Sequence, residues 1–276
     1  MRNLGYTASR ENLYHPEMGP TIFKAGDRPS DELLCAEASR LAYKKFERDP
    51  ASKAEIVDAL ARVGYAQVEF FSDNGTQAFA AADSHSSVLL AFRGTEQSPM
   101  DVAADLETLP VPWTAGGRVH AGFARALSHV WRQIEAWLQS HPDRWLYTGH
   151  SLGAALATLA ASLRKPAKLI VFGSPLVGDG DFRKTLAGVA IDRYVDCCDL
   201  VCRIPPEELG FRHVASPAYI DRVGNIKTGV SAAEMIADQI EARAEYWVKH
   251  AGKIGNIKNR DLADHAPLNY VSALYR

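Results

Sequence analysis

The stretch Tyr147-Thr148-Gly149-His150-Ser151-Leu152-Gly153-Ala154-Ala155 contains the pattern Gly-x-Ser-x-Gly. This pattern is typical of a nucleophile elbow, in which a strand turns sharply into a helix and raises a serine hydroxyl above the edge of a sheet. The serine backbone in such a turn is strained, and a Cβ at either flanking glycine would collide with the adjacent strand or helix. The stretch therefore nominates Ser151 as a nucleophile.

The flanking sequence supports this interpretation. Residues 144–148 read as a short buried strand, and residues 152–163 are an Ala/Leu run without proline, which favours a helix. The strand–turn–helix context that an elbow needs is present. An incidental serine in a glycine-rich loop is the weaker alternative.

The bulk properties are those of an ordinary globular protein. The chain has 276 residues, of which 47% are hydrophobic and 23% are charged, and this length suits one or two domains. The formal net charge of −2 gives no electrostatic reason to expect nucleic acid or an anionic membrane surface as a partner.

The cysteines favour a reducing compartment. Three of the four, Cys197, Cys198 and Cys202, lie within six residues, and the fourth is Cys35. This layout is poor for structural disulfides. A Cys-Cys-x3-Cys run also lacks the CxxC spacing and the fourth nearby ligand of a zinc cluster, so we expect no metal.

The sequence describes a soluble protein. Residues 1–23 have no apolar core of a signal peptide. The longest nearly apolar run, residues 152–163, is shorter than the roughly 20 residues that span a bilayer. We expect a protein of the cytoplasm, or one that is exported by a route the sequence does not specify.

Taken in order, the chain predicts an α/β fold with one domain over residues 30–276, preceded by an irregular arm over residues 1–29. Strands alternate with helices through the middle of the chain, which implies a mostly parallel central sheet flanked by helices on both faces. The expected helices cover residues 30–48, 50–63, 123–138 and 152–163, and the expected strands cover 65–71, 77–82, 87–92, 144–148, 168–172, 193–195 and 211–223.

One further helix is predicted over residues 231–249. Ser231 and Glu234 have the spacing of a capping box at its start. Its apolar residues recur at helical spacing, and we expect them to face inward. They are Ile236, Ile240, Ala244, Trp247 and Val248.

A nucleophilic serine needs a general base and an acid that orients the base. In elbow-bearing hydrolases the order along the chain is Ser, then Asp or Glu, then His, which leaves His213, His250 and His265. His213 lies within a β segment and His250 ends a helix. His265 precedes the terminal helix in a loop, so we predict it to be the base.

For the acid, two residues follow the predicted strand 193–195 at its carboxyl end, Asp196 and Asp199. Asp192 precedes this strand and would lie at the wrong end. Asp199 is preferred because a rigid Ile204-Pro205-Pro206 exit follows it, but position alone leaves Asp196 open.

Several further motifs occur along the chain in a fixed order that is informative about its family. They are Ala91-Phe92-Arg93-Gly94-Thr95, the acidic segment 101–106, Val119-His120-Ala121-Gly122-Phe123, the elbow at 148–153, the segment 171–179, the Asp-x-x-Asp-x-Val segment at 196–205, Phe211-Arg212-His213 and Asp264-His265. Together they resemble the class 3 lipases, the fungal-lipase-like branch of the α/β hydrolases. The resemblance covers roughly residues 30–275, and this many motifs in order are specific.

The resemblance implies roles for individual residues. It places the catalytic acid on Asp199 and makes His213 structural. It implies Thr95 as one oxyanion donor, and elbow geometry makes the backbone N–H of Leu152 the other. Arg93 is expected to form a structural ion pair. The sequence departs from the family pattern at three positions, namely Ala154, Asp196 and Tyr270.

The resemblance also implies a short lid over the active site, at residues 96–104. Met100 and Val102 are its only sizeable apolar residues, which is a small apolar face for a lid that opens at an oil surface. Trp113, in the loop that follows, is a candidate for the border of an acyl groove.

The leading hypothesis is a lipase that hydrolyses acylglycerol esters through Ser151, Asp199, His265 and an acyl-enzyme. The alternatives are a carboxylesterase or a (lyso)phospholipase on the same triad, including a secreted antibacterial effector, and a catalytically silent scaffold. The implied partners are a lipid or small ester substrate and transient contact with a lipid interface. No cofactor, nucleic acid or particular oligomeric state is implied.

Overall fold

The computed structural model describes residues 4–84, 87–95, 109–141 and 144–275. Its strands are β1 (Tyr65–Asp73), β2 (Thr76–Asp83), β3 (Ser87–Phe92), β4 (Pro110–Pro112), β5 (Arg118–His120), β6 (Arg144–His150), β7 (Lys168–Phe172), β8 (Ala190–Asp196), β9 (Pro217–Ile220) and β10 (Ile226–Lys227). Its α-helices are α1 (Arg10–Tyr14), α2 (Asp31–Leu41), α3 (Pro50–Ala61), α4 (Ala121–Gln139), α5 (Leu152–Leu163), α6 (Gly180–Thr185), α7 (Ala232–Tyr246), α8 (Arg260–Ala263) and α9 (Pro267–Leu274).

Within the described ranges, eight strands form one sheet in the order β1-β2-β3-β6-β7-β8-β9-β10, and β4 pairs separately with β5. The five strands from β3 to β9 run parallel, and antiparallel pairs close both edges. Parallel strands end at the same edge of a sheet, so the loops after β6 and β8 meet there. The predicted mostly parallel sheet is confirmed.

The central strands are buried on both faces, as their nearly continuous apolar sequences require. Residues at alternate positions of one strand enter different cores: Leu90 packs with α4 and α5, whereas Leu89 packs with α2, α3 and α9. The predicted helices on both faces are therefore confirmed, and they hold the sheet edge that carries Ser151 from two sides.

The helix predicted over residues 30–48 is shorter than expected, because α2 ends at Leu41. The backbone that follows turns away and offers its carbonyl groups to Arg93. The guanidinium Nε of Arg93 donates to the carbonyl of Ala42 at 2.6 Å, and Nη2 donates to the carbonyl of Lys44. The strand predicted over 211–223 is likewise shorter, since β9 covers only four residues.

The helix α7 lies where it was predicted, with its capping box formed by Ser231 and Glu234. The predicted orientation is wrong, because Ile236, Ile240, Ala244, Trp247 and Val248 are exposed. The residues that α7 buries are Ala242 and Tyr246. Helical periodicity shows that a helix is amphipathic, but which side is buried depends on what the other side contacts.

The N-terminal segment is more ordered than an irregular arm, since it contains α1 and is bonded to the end of the chain. Thr7 and Asn269 exchange two hydrogen bonds, of 2.8 and 3.0 Å. The hydroxyl of Tyr6 donates to Asp264 Oδ1 at 2.7 Å. Among the helices of the described ranges, none combines the length and the apolar character that crossing a bilayer requires.

Candidate active site

Ser151 occupies the turn between β6 and α5 with φ 59° and ψ −126°, a conformation that costs a non-glycine residue of order 1–3 kcal/mol. The glycines on either side are needed for steric reasons. A Cβ at Gly149 would lie 2.2 Å from the carbonyl carbon of Gly153, and one at Gly153 would lie 2.2 Å from the carbonyl oxygen of Phe92. The turn that raises the Ser151 side chain therefore depends on both glycines.

Ser151 is hydrogen-bonded to His265, which in turn is bonded to Asp199. The Ser151 Oγ lies 2.9 Å from His265 Nε2, and His265 Nδ1 lies 2.9 Å from both carboxylate oxygens of Asp199. All three side chains are buried. The structure thus brings together three residues from three loops, separated by up to 114 positions in the chain.

Asp199 has two further donors besides His265. The hydroxyl of Tyr270 donates to Oδ2 at 2.6 Å, and the backbone N–H of Val201 donates to Oδ1 at 2.9 Å. Burial alone would raise the pKa of Asp199, but the charge and hydrogen bond of His265 and the hydrogen bond of Tyr270 outweigh it, so the pKa lies below its ordinary value. The carboxylate is ionised at neutral pH.

Asp196, the other acid considered, does not contact His265 in this arrangement. It ends β8 and lines a separate pocket with Tyr6 and Arg260. Burial, followed by the charge of Asp264, raises its pKa well above the ordinary value.

The two other histidines downstream of Ser151 lie elsewhere. His213 Nε2–H donates to the carbonyl of Cys202 at 2.8 Å, and burial, followed by the charge of Arg193, lowers its pKa to about 3. His250 lies beyond α7, where its ring is 5.1 Å from that of Tyr246. Neither forms a described contact with Ser151.

The candidate oxyanion donors Thr95 and Leu152 line one surface pocket of about 310 Å³. Leu152 is the first residue of α5, so its N–H has no acceptor within the helix. Thr95 follows Gly94, where a Cβ would lie 1.9 Å from the hydroxyl oxygen of Tyr43. The glycine allows the chain to pass Tyr43 on its way to the site.

Arg93 lines the same pocket and also anchors the segment that leads to Thr95. Its Nη2 lies 2.8 Å from Glu47 Oε2, and its guanidinium lies 4.7 Å from the centre of the Phe46 ring. The predicted structural ion pair is confirmed, and it ties the loop of Thr95 to the chain that follows α2.

The predicted lid residues Met100 and Val102 lie outside the described residues. Trp113 is described, in the turn between β4 and β5. It is half-buried against α5, where its indole N–H donates to Ser162 Oγ at 2.8 Å. The contact of Trp113 with an acyl chain stays a prediction.

No local sequence pattern predicted a role in the site for three residues. They are Tyr270, which contacts Asp199, and the pair Tyr43 and His150. The Tyr43 hydroxyl lies 2.8 Å from His150 Nδ1, and the His150 ring is 4.4 Å from that of His265. Burial, followed by the charge of His265, lowers the pKa of His150 well below its ordinary value. His150 therefore packs beside the His265 ring as a neutral, tilted ring.

One group in the described part of the chain has the donor types of a metal site. The Sγ atoms of Cys197 and Cys198 lie 3.7 Å apart, with a carboxylate oxygen of Asp264 within 4.8 Å of both. That carboxylate is already occupied by the Arg260 guanidinium and by the N–H of Cys198. The hydrogen bond with Cys198, followed by burial, raises the pKa of the Cys197 thiol, and a protonated thiol is a poor ligand. The group does not fit a resident metal.

Comparison with known proteins identifies the family. The family model described as lipase (class 3) matches residues 89–209. The secreted mono- and diacylglycerol lipase LIP4 of Malassezia restricta is 30% identical over 230 residues, which are 74% of this chain and 74% of that protein. The chain belongs to the class 3 lipase family. The resemblance stated from the motifs is confirmed, and with it the enzyme class, a carboxylic ester hydrolase.

Two further proteins are similar to this chain. The chloroplastic phospholipase A(1) DAD1 of Arabidopsis thaliana is 41% identical over 149 residues, which are 43% of this chain and 33% of that protein. A solved triacylglycerol lipase with a serine protease triad at its catalytic centre is 25% identical with a TM-score of 0.54. The match covers 69% of this chain and 79% of that chain, and this likeness confirms the predicted α/β fold.

Proposed function

We propose that this protein is a lipase that hydrolyses ester bonds of acylglycerols, with Ser151 as nucleophile, His265 as general base and Asp199 as the acid that orients the base. The observation that carries the proposal is the unbroken chain of 2.9 Å hydrogen bonds from Ser151 Oγ through His265 to Asp199. The acylglycerol substrate is supported by family membership and by the mono- and diacylglycerol lipase named among its relatives.

The reaction is acyl transfer to water in two halves. Ser151 Oγ attacks the ester carbonyl carbon while His265 Nε2 takes the hydroxyl proton, and the protonated ring then gives it to the leaving alcohol. Water attacks the acyl-enzyme with the same help, releasing the acid and restoring Ser151. Throughout, the Asp199 carboxylate accepts the Nδ1–H bond and stabilises the imidazolium ion.

Negative charge develops on the carbonyl oxygen in both halves, and donors aimed at it lower the barrier. We assign this role to the backbone N–H of Leu152 and to Thr95. Both line the same pocket, and the N–H of Leu152 is free of helical partners because it opens α5. Removal of one such donor typically costs about 3–4 kcal/mol in the transition state.

The test combines covalent labelling with turnover. We expect a fluorophosphonate probe to label the wild-type chain once, at Ser151, and Ser151→Ala to abolish both labelling and hydrolysis. Emulsified long-chain mono-, di- and triacylglycerols should be hydrolysed alongside short p-nitrophenyl esters. If the folded wild-type chain is not labelled, the protein is a catalytically silent scaffold and the proposal is wrong. If activity is lost beyond short acyl chains, the protein is a carboxylesterase and not a lipase.

A second candidate is a phospholipase A acting through the same residues. The 41% identity to the Arabidopsis phospholipase A(1) over 149 residues favours it, although that match covers a smaller part of the chain than the acylglycerol lipase does. Phosphatidylcholine labelled in its two acyl chains separates the candidates. Release of the sn-1 acyl chain faster than acylglycerol hydrolysis would replace the first proposal by this one, and would bring the antibacterial effector into consideration.

A further inference from the structure

Helix α7 carries an apolar stripe on its outer side. Its members recur at helical spacing, and all are exposed. We call this set the outer stripe: Ala233, Ile236, Ala237, Ile240, Ala244 and Trp247. The exposed fractions of Ile236, Ile240 and Trp247 are 57%, 62% and 74%. A surface helix of a globular protein normally has the opposite arrangement, with its apolar stripe against the core.

The inner side of α7 is fixed by polar contacts, so the helix cannot roll to bury the outer stripe without breaking them. The Gln239 side chain donates to the carbonyl of Cys197 at 2.7 Å and accepts from Arg203 at 2.6 Å. The Arg243 guanidinium contacts Asp261 at 2.6 Å. The exposure of the stripe is therefore part of the fold.

The apolar surface continues beyond the end of α7. A π-helical turn over Trp247–Ala251 presents Val248, which is 84% exposed, and Ile254 follows it fully exposed. Together with the outer stripe these residues concentrate five of the large exposed apolar side chains between residues 236 and 254, rather than scattering them singly as on an ordinary surface.

The charge around this end of the helix is positive. Lys253 and Lys258 are exposed, and within the described residues neither has an acidic partner. Most acidic residues of α7 are paired: Arg222 contacts Asp238, Glu241 and Glu245. Glu234 lies at the opposite end of the helix, where it forms the capping box. An exposed Trp beside unpaired lysines is the combination that interfacial helices use.

We propose that the outer stripe, with Val248, Ile254, Lys253 and Lys258, docks the protein on an anionic lipid surface. The apolar side chains enter the boundary between headgroups and acyl chains, and the lysine ammonium groups stay at the level of the phosphates. The net charge of −2 does not oppose this, because charges beyond about 10 Å are screened at physiological salt.

The position of α7 links docking to the proposed active site. Gln239 is bonded to Cys197, two residues before Asp199, and Arg243 to Asp261, four residues before His265. The helix thus lies across the two loops that carry the acid and the base. A lipid surface held by the stripe would lie beside these loops, where a lipase needs its substrate; this benefit, unlike the docking itself, rests on the proposed function.

Trp247 is a built-in probe. All five tryptophans are described, and only Trp247 is exposed while the other four are half-buried. The full chain is titrated with phosphatidylcholine vesicles with or without phosphatidylglycerol. We expect a blue shift of the emission, absent in Trp247→Phe, together with co-sedimentation that increases with phosphatidylglycerol and weakens at high salt. No binding to either vesicle overturns the proposal.

Variants locate the contact. Ile236→Ser/Ile240→Ser and Lys253→Glu/Lys258→Glu should each weaken vesicle binding at least tenfold and leave the hydrolysis of soluble p-nitrophenyl butyrate unchanged. The matched controls Met18→Ser and Lys184→Glu alter an exposed apolar residue and an exposed lysine elsewhere, and should bind as the wild type does. Equal binding by stripe variants and controls overturns the proposal.

Two outcomes distinguish lipid docking from self-association and from the proposed lipase function. If the wild type self-associates without lipid, the stripe variants are monomeric and vesicle binding is unaffected, the stripe is an interface between copies and the proposal fails. Ser151→Ala should bind vesicles as the wild type does but hydrolyse nothing. An unlabelled, inactive wild type that still binds vesicles through the stripe would overturn the proposed function and support the docking surface.

Discussion

Tyr270 donates its hydroxyl hydrogen to Asp199 Oδ2 at 2.6 Å, and the Tyr270 hydroxyl oxygen accepts the backbone N–H of Asp196 at 3.1 Å. Burial, followed by the charge of Asp199, raises the pKa of Tyr270 well above its ordinary value, so the hydroxyl remains a donor at any working pH. The helix α9, which begins two residues after His265, thereby also holds the acid that orients His265.

Replacement of Tyr270 by Phe should impair turnover while leaving the fold intact. Removal of one donor raises the pKa of Asp199 toward its ordinary value, so the acidic limb of the activity–pH profile should move to higher pH. We expect kcat to fall about tenfold, corresponding to about 1.4 kcal/mol, with KM nearly unchanged. The pH profile of the hydrolysis of p-nitrophenyl butyrate measures both effects.

The control for this change is Tyr275→Phe, because among the described residues the Tyr275 hydroxyl has no hydrogen-bond partner. It should leave kcat and the pH profile as in the wild type. If Tyr270→Phe alters thermal stability but neither kcat nor the acidic limb, the hydroxyl contributes only to packing and does not position Asp199.

Alanine substitutions at Gly173 and Gly188 separate the effect of backbone strain from the effect of a steric clash with His265 and Asp199. Both have positive φ, 55° and 86°, but a Cβ at Gly173 would lie 2.9 Å from Asp199 Oδ2 and 3.1 Å from His265 Cε1, whereas nothing lies within 4 Å at Gly188. Either alanine should destabilise the fold by about 1 kcal/mol. Only Gly173→Ala should lose about 100-fold in kcat, because it displaces the base and the acid. Similar kinetics for the two variants would contradict the steric argument.

The choice of base is tested by two alanine substitutions. His265→Ala should lower kcat by about 10⁴-fold with little change in stability, because it removes proton transfer. His213→Ala should retain activity and lose about 1–3 kcal/mol of stability, because the carbonyl of Cys202 loses its donor. Initial rates and chemical denaturation measure the two effects, and an exchange of the two phenotypes would reassign the base.

His213 also predicts a pH dependence of stability. Its pKa in the folded state is about 3, whereas a histidine in an unfolded chain has a pKa near 6.5. Below pH 6.5 the unfolded state therefore binds more protons, and stability is lost as the pH falls from 6.5 to 3. This group should cost about 2 kcal/mol at pH 5 relative to pH 7.5.

The measurement is chemical denaturation at pH 7.5 and pH 5. Because glutamine donates a hydrogen bond but does not titrate, His213→Gln should reduce the loss of stability on acidification by about 2 kcal/mol. His129→Gln is the control, since this half-buried ring is hydrogen-bonded to the side chain of Asn74 and not to a backbone carbonyl. An unchanged loss in His213→Gln would mean that other groups govern acid sensitivity.

Local sequence patterns and strand topology were sufficient to predict the elbow, His265 and the two candidate acids. The Gly-x-Ser-x-Gly elbow can be predicted because each glycine is needed within four residues of Ser151, and the steric requirement is written in consecutive positions. Chain order nominated His265, and strand ends nominated Asp199 with Asp196 still open. The resemblance of residues 196–205 to a motif of the class 3 lipases then favoured Asp199 over Asp196.

What the sequence could not provide are contacts between distant segments. Tyr43 meets His150 across 107 residues, and Tyr270 meets Asp199 across 71, with no local pattern to pair them. The orientation of α7 was predicted wrongly for a related reason. The periodicity of Ile236 and Ile240 is the same whether the stripe faces a core or the solvent, and the polar contacts of Gln239 on the other side of the helix fix its orientation.

The bonds of Tyr6 to Asp264 and of Thr7 to Asn269 place the N-terminal segment against the loop that carries His265. Asp264 directly precedes His265, and Asn269 lies in the helix that follows it. Loss of residues 6 and 7 would therefore remove partners from both sides of His265, although the two residues lie more than 250 positions away from it in the sequence.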